Sequence, residues 1–259
     1  MREGSGGTDL VEHATPMPSD VAVPPDMGSA LDAELLHSAR DSFRDKETPF
    51  ESVRCKVTPG GKPHQKKLRQ WLRARGTISD CPPEVRFDEE SQGKRLDMPG
   101  DNHKAHLSAL AYMSDSYFIG TIARVHNLRR FANRRSIEST VQSFRGSAAE
   151  KDAMRAHLEQ IGREEAEENE AAKIAGDYHE DDRQIGMMVS LDHTIFFHNP
   201  RAFRADQWML AEMESPWAGD GRGLCLQRIW AKDGTLLATC TQEGLVRLQQ
   251  KDRVKGSKL

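Results

Sequence analysis

Polar side chains interrupt apolar patterns at three places in this sequence, and the first is the run GMMVSLDHTIFFHNPRAFR at residues 186–204. Side chains of a strand alternate between its two faces. We therefore expect one long buried strand with a nearly apolar odd face, and an even face that carries Ser190, Asp192 and Thr194 on one side. Such a polar cluster is either part of a site or the solvated face of a half-buried sheet, and the pattern leaves both open.

Asp115 is the second place, at the end of a predicted helix that begins after Asp101 or Asn102. The apolar residues of this helix recur at i, i+3 and i+4, which puts Asp115 on the buried face of its last turn. A carboxylate held at the negative end of a helix is suited to act as a general base. The alternative is an Asp that simply ends the helix through a local turn.

Gln242 is the third place, because it is a lone amide on the even face of a predicted strand over residues 236–248. A buried amide needs partners, so it either bonds neighbouring backbone or faces a site. His193 and His198 have no Cys or His at the spacing of a zinc site. Adjacent strand residues point to opposite faces, so Asp192 and His193 cannot form a dyad, and we expect His193 to be a packed core histidine.

The elements that must position these side chains are mostly strands. Residues 66–78 alternate basic and apolar side chains and predict a strand with a cationic outer face. Residues 121–128 and 206–214 also read as strands, while residues 223–230 and 236–248 predict a hairpin around Asp233-Gly234. Between residues 129 and 184 the spacing predicts two amphipathic helices and a frayed acidic tail, with a capping box formed by Ser147 and Glu150.

Composition excludes several classes of function. The net charge is only −3 with no dominant basic stripe, which argues against nucleic-acid binding. Apolar runs are too short to span a membrane, and residues 1–13 do not form a signal peptide. The mean hydropathy of −0.70 predicts an unpacked part, which we assign to a Pro/Gly-rich disordered segment at residues 1–40 with a short helix possible at 30–39. Cys225 and Cys240 lie in strand-like runs and are expected to be buried thiols in a reducing compartment.

Three blocks resemble the acyl-CoA thioesterase II family: VSLDHTIFFH, FRADQWMLAEMESPWAG and DGTLLATCTQEGLVRL. WLRARG and YMSD also match that family, and the resemblance covers residues 49–248 with one interruption. It implies an α+β hotdog fold, in which an antiparallel sheet wraps around a central helix. The hotdog domain would cover residues 41–250, with a charged helical insertion at 129–184 and a tail at 251–259.

By this resemblance, the catalytic residues are Asp115, Ser190 and Gln242. The implied enzyme is an acyl-CoA thioesterase that hydrolyses fatty acyl-CoA to fatty acid and CoA by direct attack of water, with no cofactor and no metal. Asp115 would accept the proton of the water, and Ser190 and Gln242 would hold that water. Backbone N–H groups would stabilise the oxyanion.

Members of this family contain two hotdogs, so the chain is expected to be a single hotdog of a normally double-hotdog family, through loss of the first domain or an incomplete gene model. We therefore expect a homo-oligomer, a dimer that replaces the missing half, or else a poorly stable and inactive chain. The C-terminal Ser257-Lys258-Leu259 resembles a peroxisomal address, which implies a peroxisomal import receptor as partner and a location in the peroxisome matrix.

Two other functions compete with the thioesterase. A non-catalytic acyl-CoA-binding or interaction module would remain if the first hotdog were lost. A hotdog hydratase would need an Asp/His pair a few residues apart beside the helix, and His126 lies too far along the chain from Asp115. The hydratase therefore ranks last.

Overall fold

The computed structural model describes residues 12–24, 49–55, 61–76, 78, 102–128, 134–174 and 184–249. Four α-helices lie in these ranges: α1 His103–Ser114, α2 Gly120–Val125, α3 Arg134–Ser143 and α4 Ala148–Ile174. Seven strands accompany them: β1 Phe50–Arg54, β2 Leu68–Ala74, β3 Ile185–Ser190, β4 Thr194–Phe197, β5 Met209–Gly219, β6 Arg222–Ala231 and β7 Leu236–Leu248. A short 3-10 turn, Pro63–Gln65, precedes β2.

The strands form one antiparallel sheet in the order β1-β2-β5-β6-β7-β3. β3 and β4 lie one after the other along the same edge of β7, opposite its residues 244–248 and 238–241 respectively. The predicted hairpin is confirmed, since β6 and β7 pair around a turn at Gly234 (φ 88°) in which the Asp233 side chain accepts the N–H of Thr235 at 2.9 Å.

One face of the sheet holds the main core, against α1 and α2. Leu110 and Met113 of α1 and Ile122 of α2 are buried there against inward-facing strand residues such as Leu72 and Ile229. This α+β arrangement, an antiparallel sheet packed against a central helix, confirms the predicted hotdog fold.

A segment near the N-terminus, residues 12–24, covers part of the opposite face; we call it the N-terminal strap. Its apolar side chains pack against Trp71, Trp208 and Leu210, and the carbonyl of Thr15 accepts the indole N–H of Trp230 at 2.9 Å. The strap forms no helix or strand, and most of its residues are exposed apart from these contacts. The short helix expected at residues 30–39 lies outside the described residues.

The two predicted helices of the insertion are confirmed as α3 and α4, which share a small core of Ile137, Val141 and Leu158. The capping box is also confirmed, because Glu150 accepts the N–H of Ser147 at 2.6 Å and the N–H of Glu150 reaches the Ser147 hydroxyl at 3.3 Å. The acidic run that was expected to fray continues α4 to a length of 27 residues.

Residues 121–128 were predicted as a strand, and that prediction is wrong. They contain α2, whose Thr121, Ile122 and Val125 are all buried. β-branched residues favour strands only weakly, and burial of the α2 side chains against β5 and β6 overrides that preference.

The predicted single strand over residues 186–204 is also wrong, because residues 191–193 separate β3 from β4. From Ser190 to Thr194 the chain advances four residues, while their partners Gly244 and Thr241 are three residues apart. The extra residue is a bulge, and a bulge reverses which parity faces the core. On β3 the odd residues Met187 and Val189 are therefore exposed, whereas on β4 the odd residues pack against the core.

Candidate active site

Asp115 is placed by the end of α1 and by the turn that follows it. The helix ends at Ser114, and the turn contains Tyr117 in the left-handed region (φ 59°). Gln70 of β2 holds this turn by donating its amide to the carbonyl of Ser116 at 3.2 Å. The Asp115 side chain is 58% exposed, so the expectation that it lies on the buried face is wrong: the turn carries it out of the core.

Gln242 reaches Asp115 from the middle of β7. Its Nε2 donates to Oδ1 of Asp115 at 2.5 Å, which joins two residues 127 positions apart in the sequence. Gln242 itself is buried, and its Oε1 has no hydrogen-bond partner in the described part of the chain. A bond to an ionised acceptor is among the stronger hydrogen bonds in proteins, so this contact fixes the carboxylate relative to the sheet.

His193 lies in the same cluster. Its Nε2 is 2.9 Å from the hydroxyl of Ser114, and its Nδ1 is 3.5 Å from Nε2 of Gln242 and 4.0 Å from Oδ1 of Asp115. The ring packs edge-on against Phe118, with centroids 5.7 Å apart. The sequence predicted a packed core histidine; the ring does pack against Phe118, but it also lies beside the carboxylate. The bulge before β4 explains this position, because it turns His193 to the face of Gln242.

Ser190 ends β3 directly opposite Gly244, two residues along β7 from Gln242. The register puts it on the same face of the sheet as Gln242, since directly opposed residues in a ladder share a face. Its side chain is exposed, and no hydrogen bond among the described residues joins it to Asp115 or Gln242. The structure thus brings Asp115 and Gln242 into contact and leaves Ser190 at the rim.

Asp192 and Thr194, the other members of the predicted polar cluster, do not join the site. Oδ1 of Asp192 accepts the backbone N–H of Glu243 at 2.7 Å, which ties the bulge to β7. Thr194 is exposed on β4. His198 bonds the hydroxyl of Thr239 at 2.8 Å, on the same outer part of the sheet.

A cavity of about 430 Å³ opens over the Asp115 carboxylate. Phe50, Tyr112 and His193 line it together with Ala111 and Ser116. The cavity therefore offers an apolar and aromatic wall beside a partly solvated carboxylate. Ligand sites commonly combine an apolar wall with a few polar groups in this way.

A second cavity, of about 440 Å³, lies away from this cluster, where β5 begins and β6 ends. Its lining includes Arg204, Trp208 and Lys232. Asp233, the carboxylate in this lining, is engaged in the hairpin turn and accepts the N–H of Thr235. This cavity therefore lacks a carboxylate placed to activate water.

Covalent nucleophiles are poorly placed near Asp115. Burial raises the pKa of the Cys240 thiol to about 12, and that of Cys225 likewise to about 12, so neither supplies a thiolate near neutral pH. Ser114 contacts His193 but is fully buried, so a substrate carbonyl cannot reach its hydroxyl. Direct attack by water is the chemistry that this arrangement favours.

Two further properties follow from the described ranges. They contain no cluster of three or more His, Cys, Asp or Glu side chains suited to hold a metal ion. None of the helices in them combines the length and apolar character that crossing a membrane requires.

Residues 94–246 match the family described as acyl-CoA thioesterase C-terminal domain. The chain belongs to this family. The matched range includes Asp115, Ser190, His193 and Gln242, together with α3 and α4. The resemblance seen in the sequence is thereby confirmed at the level of the domain.

Curated relatives match a shorter part. The chain is 54% identical over 81 residues to acyl-coenzyme A thioesterase 8 of Rattus norvegicus, covering 31% of this chain and 24% of the relative. It is 46% identical over 68 residues to acyl-CoA thioesterase 2 of Haemophilus influenzae, covering 26% of this chain and 23% of that protein. The chain thus spans about a quarter of the length of the curated relatives it matches.

A solved structure, the acyl-CoA thioesterase II TesB2 from Mycobacterium marinum, superposes with a TM-score of 0.45 at 22% identity, covering 94% of this chain and 60% of that one.

Proposed function

We propose that this chain is an acyl-CoA thioesterase that hydrolyses fatty acyl-CoA with water activated by Asp115. The observation that carries the proposal is the 2.5 Å bond from Gln242 to Asp115 beside an open cavity with an aromatic wall. The names of the curated relatives and the domain family support the same reaction class.

In this mechanism the Asp115 carboxylate takes a proton from water while the water oxygen attacks the thioester carbonyl carbon. The C–S bond then breaks, and the proton passes from the carboxyl group to the departing thiolate of CoA. Gln242 and Ser190 hold the water by hydrogen bonds, as the family resemblance implies, and Nε2 of Gln242 also fixes the carboxylate that accepts the proton. No covalent intermediate forms, in keeping with the buried state of Cys225 and Cys240.

The substrate of the proposed reaction is a fatty acyl-CoA, because the cavity wall beside Asp115 includes Phe50 and Tyr112. The experiment measures release of the CoA thiol from a panel of acyl-CoA chain lengths, with Asp115→Asn compared with Glu243→Gln. Both changes turn a carboxylate into an amide of equal size, but Glu243 pairs with Arg222 on the surface. Release that disappears in Asp115→Asn and persists in Glu243→Gln supports the proposal, and equal release from both refutes it.

We further propose that two copies of the chain associate along β3. Among the described strands β3 pairs with β7 alone, and it exposes Met187, Val189 and Leu191 beside Ser190. A strand edge with apolar side chains favours pairing with another chain. Sedimentation of Val189→Lys tests this, with Val53→Lys on the far edge strand β1 as control: only the first change is expected to yield monomers and reduce turnover.

One observation favours a second function. Among the described residues Ser190 makes no hydrogen bond to Asp115 or Gln242, as expected of a non-catalytic acyl-CoA-binding or interaction module. Binding of an acyl-CoA without thiol release from the folded protein would support that module.

The location proposed is the peroxisome matrix, through recognition of Ser257-Lys258-Leu259 by an import receptor. These three residues lie outside the described ranges. Microscopy of the full chain with an N-terminal fluorescent tag tests the proposal, with a variant lacking Leu259 as control. Diffuse fluorescence of the intact chain refutes it.

A further inference from the structure

The contact between Ser114 and His193 fixes the position of a proton. Ser114 is fully buried, so its hydroxyl proton goes to a protein acceptor. That acceptor is the carbonyl of Ala111, 2.8 Å away, because the backbone N–H of Asp115 bonds Met113 instead and leaves the Ala111 carbonyl without it. A hydroxyl has a single proton, so towards His193 the Ser114 oxygen acts as an acceptor.

The third group at this hydroxyl is the Cys240 thiol. Burial raises its pKa to about 12, so it stays protonated and does not draw the Ser114 proton as a thiolate would. His193 must therefore donate Nε2–H to Ser114 across the 2.9 Å between them. When an imidazole donates through Nε2, the nitrogen left to accept is Nδ1, and the amide nitrogen of Gln242 that faces Nδ1 calls for an acceptor there.

Nδ1 of His193 lies 3.5 Å from Nε2 of Gln242. The Gln242 amide has two N–H groups, of which one donates to Asp115 and the other faces Nδ1 of His193. If the amide turned over, its Oε1 would meet a carboxylate oxygen and an imidazole lone pair, and both contacts would be repulsive. The present orientation leaves Oε1 as the unpartnered atom of the amide.

We propose that His193 is a positioning residue for hydrolysis: Ser114 sets its tautomer, and its Nδ1 holds the Gln242 amide with Nε2 towards the Asp115 carboxylate that receives the proton. The inference rests on the proposed thioesterase function. The packing of the His193 ring against Phe118, at the wall of the cavity, would serve this role by fixing the ring.

Two amide substitutions separate the roles of the two ring nitrogens. The oxygen of Asn in His193→Asn lies near the place of Nδ1 and can accept from Gln242, whereas the amide of Gln in His193→Gln reaches the place of Nε2 and can donate to Ser114. Both variants lose the ring packing on Phe118. A purely structural role for the ring therefore predicts similar losses in both.

The positioning role predicts that His193→Asn keeps kcat within about tenfold of the parent and that His193→Gln loses about a hundredfold, in line with the effect of small misplacements on rate. KM should change less than kcat, because the lost contact is to Gln242. In a Gln242→Met background, changing His193 to Gln should add little further loss, since residues that act as a unit are not additive. Equal losses in His193→Asn and His193→Gln, or additive losses with Gln242→Met, would overturn the inference.

Nitrogen-15 NMR of the imidazole provides a readout that does not depend on turnover. The expected result is a neutral ring protonated at Nε2, which shifts towards a tautomer mixture in Ser114→Ala. A ring protonated at Nδ1 overturns the inference even if the wild-type chain hydrolyses acyl-CoA. If the wild-type chain releases no thiol, the proposed function fails, and the NMR result alone then decides whether His193 holds Gln242.

Discussion

Gly244 lies where β7 passes beneath the turn between α1 and α2, and we predict that Gly244→Ala both destabilises the fold and slows turnover. A Cβ at this position would lie 2.6 Å from Cγ1 of Ile119 and 2.9 Å from the carbonyl oxygen of Val189. Carbon atoms pack at about 3.5–4.0 Å, so the overlap approaches about 1 Å. The Val189 oxygen belongs to the backbone of β3, so relief of that contact shifts β3 against β7, while relief of the other contact moves the Ile119 side chain and its turn.

Overpacking of this kind costs about 1–3 kcal/mol. The gain of about 0.5–1 kcal/mol from replacing a strand glycine offsets part of it, so we expect a net loss of roughly 1–2 kcal/mol in the free energy of unfolding. Because Asp115 sits on the same turn, a displacement near 1 Å should reduce kcat about a hundredfold. Urea unfolding and thiol release measure the two effects.

Gly120→Ala is the matched control, since a Cβ there meets nothing within 4 Å and the residue begins α2. Its stability should be equal to or slightly above that of the parent chain. In the double variant Ile119→Ala with Gly244→Ala, the smaller side chain should recover part of both losses. An unchanged urea midpoint in Gly244→Ala, or strictly additive losses in the double variant, would show that the steric argument is wrong.

Three further predictions concern other parts of the molecule. Cys225 and Cys240 should resist alkylation at pH 8 until the chain unfolds, because burial raises the pKa of each thiol to about 12; rapid labelling of the native chain contradicts this. Ser147→Ala should lower the free energy of unfolding by about 1 kcal/mol through loss of a helix cap. The hydrogen bonds from Ser147 also hold the pKa of Glu150 below its usual value of 4.5. The stability that the ionised carboxylate contributes is therefore present above pH 4.5 and is lost as the pH falls through the lowered pKa. An effect of Ser147→Ala on urea unfolding that did not depend on pH would argue against this reasoning. Trp230→Phe should make proteolysis of the N-terminal strap faster than in the parent chain, because the hydrogen bond from Trp230 to Thr15 is lost. An unchanged cleavage rate would show that this bond does not hold the strap in place.

The parts of the fold that the sequence predicts well are those with strong local signals. An Asp-Gly turn between two alternating runs defines the β6–β7 hairpin, and helical spacing identifies α1, α3 and α4. α2 was missed because its β-branched residues favour strands locally, while its conformation depends on contacts with β5 and β6.

The site was predicted in part, and the reason lies in distance along the chain. Asp115 and Gln242 lie in recognisable family motifs. The residues around each of them give no indication, however, that the Gln242 amide bonds the Asp115 carboxylate. His193 was assigned to the core because strict alternation from residue 186 onwards puts it on the apolar face. A single additional residue before β4 cancels that alternation, and sequence periodicity gives no signal of it.

That additional residue determines which side chains of β3, of β4 and of their connection lie on the same face of the sheet as Gln242. Ser190 and His193 have opposite parity, so a regular strand would direct one of them towards Gln242 and the other to solvent. A regular pairing that kept all of residues 190–194 would therefore separate the two, whereas the bulge brings both to the face of Gln242. We therefore expect substitutions that favour regular pairing over the bulge, without changing the chain length, to exchange the inner and outer faces of β3 or β4 along the whole strand while every side chain of the site is still encoded.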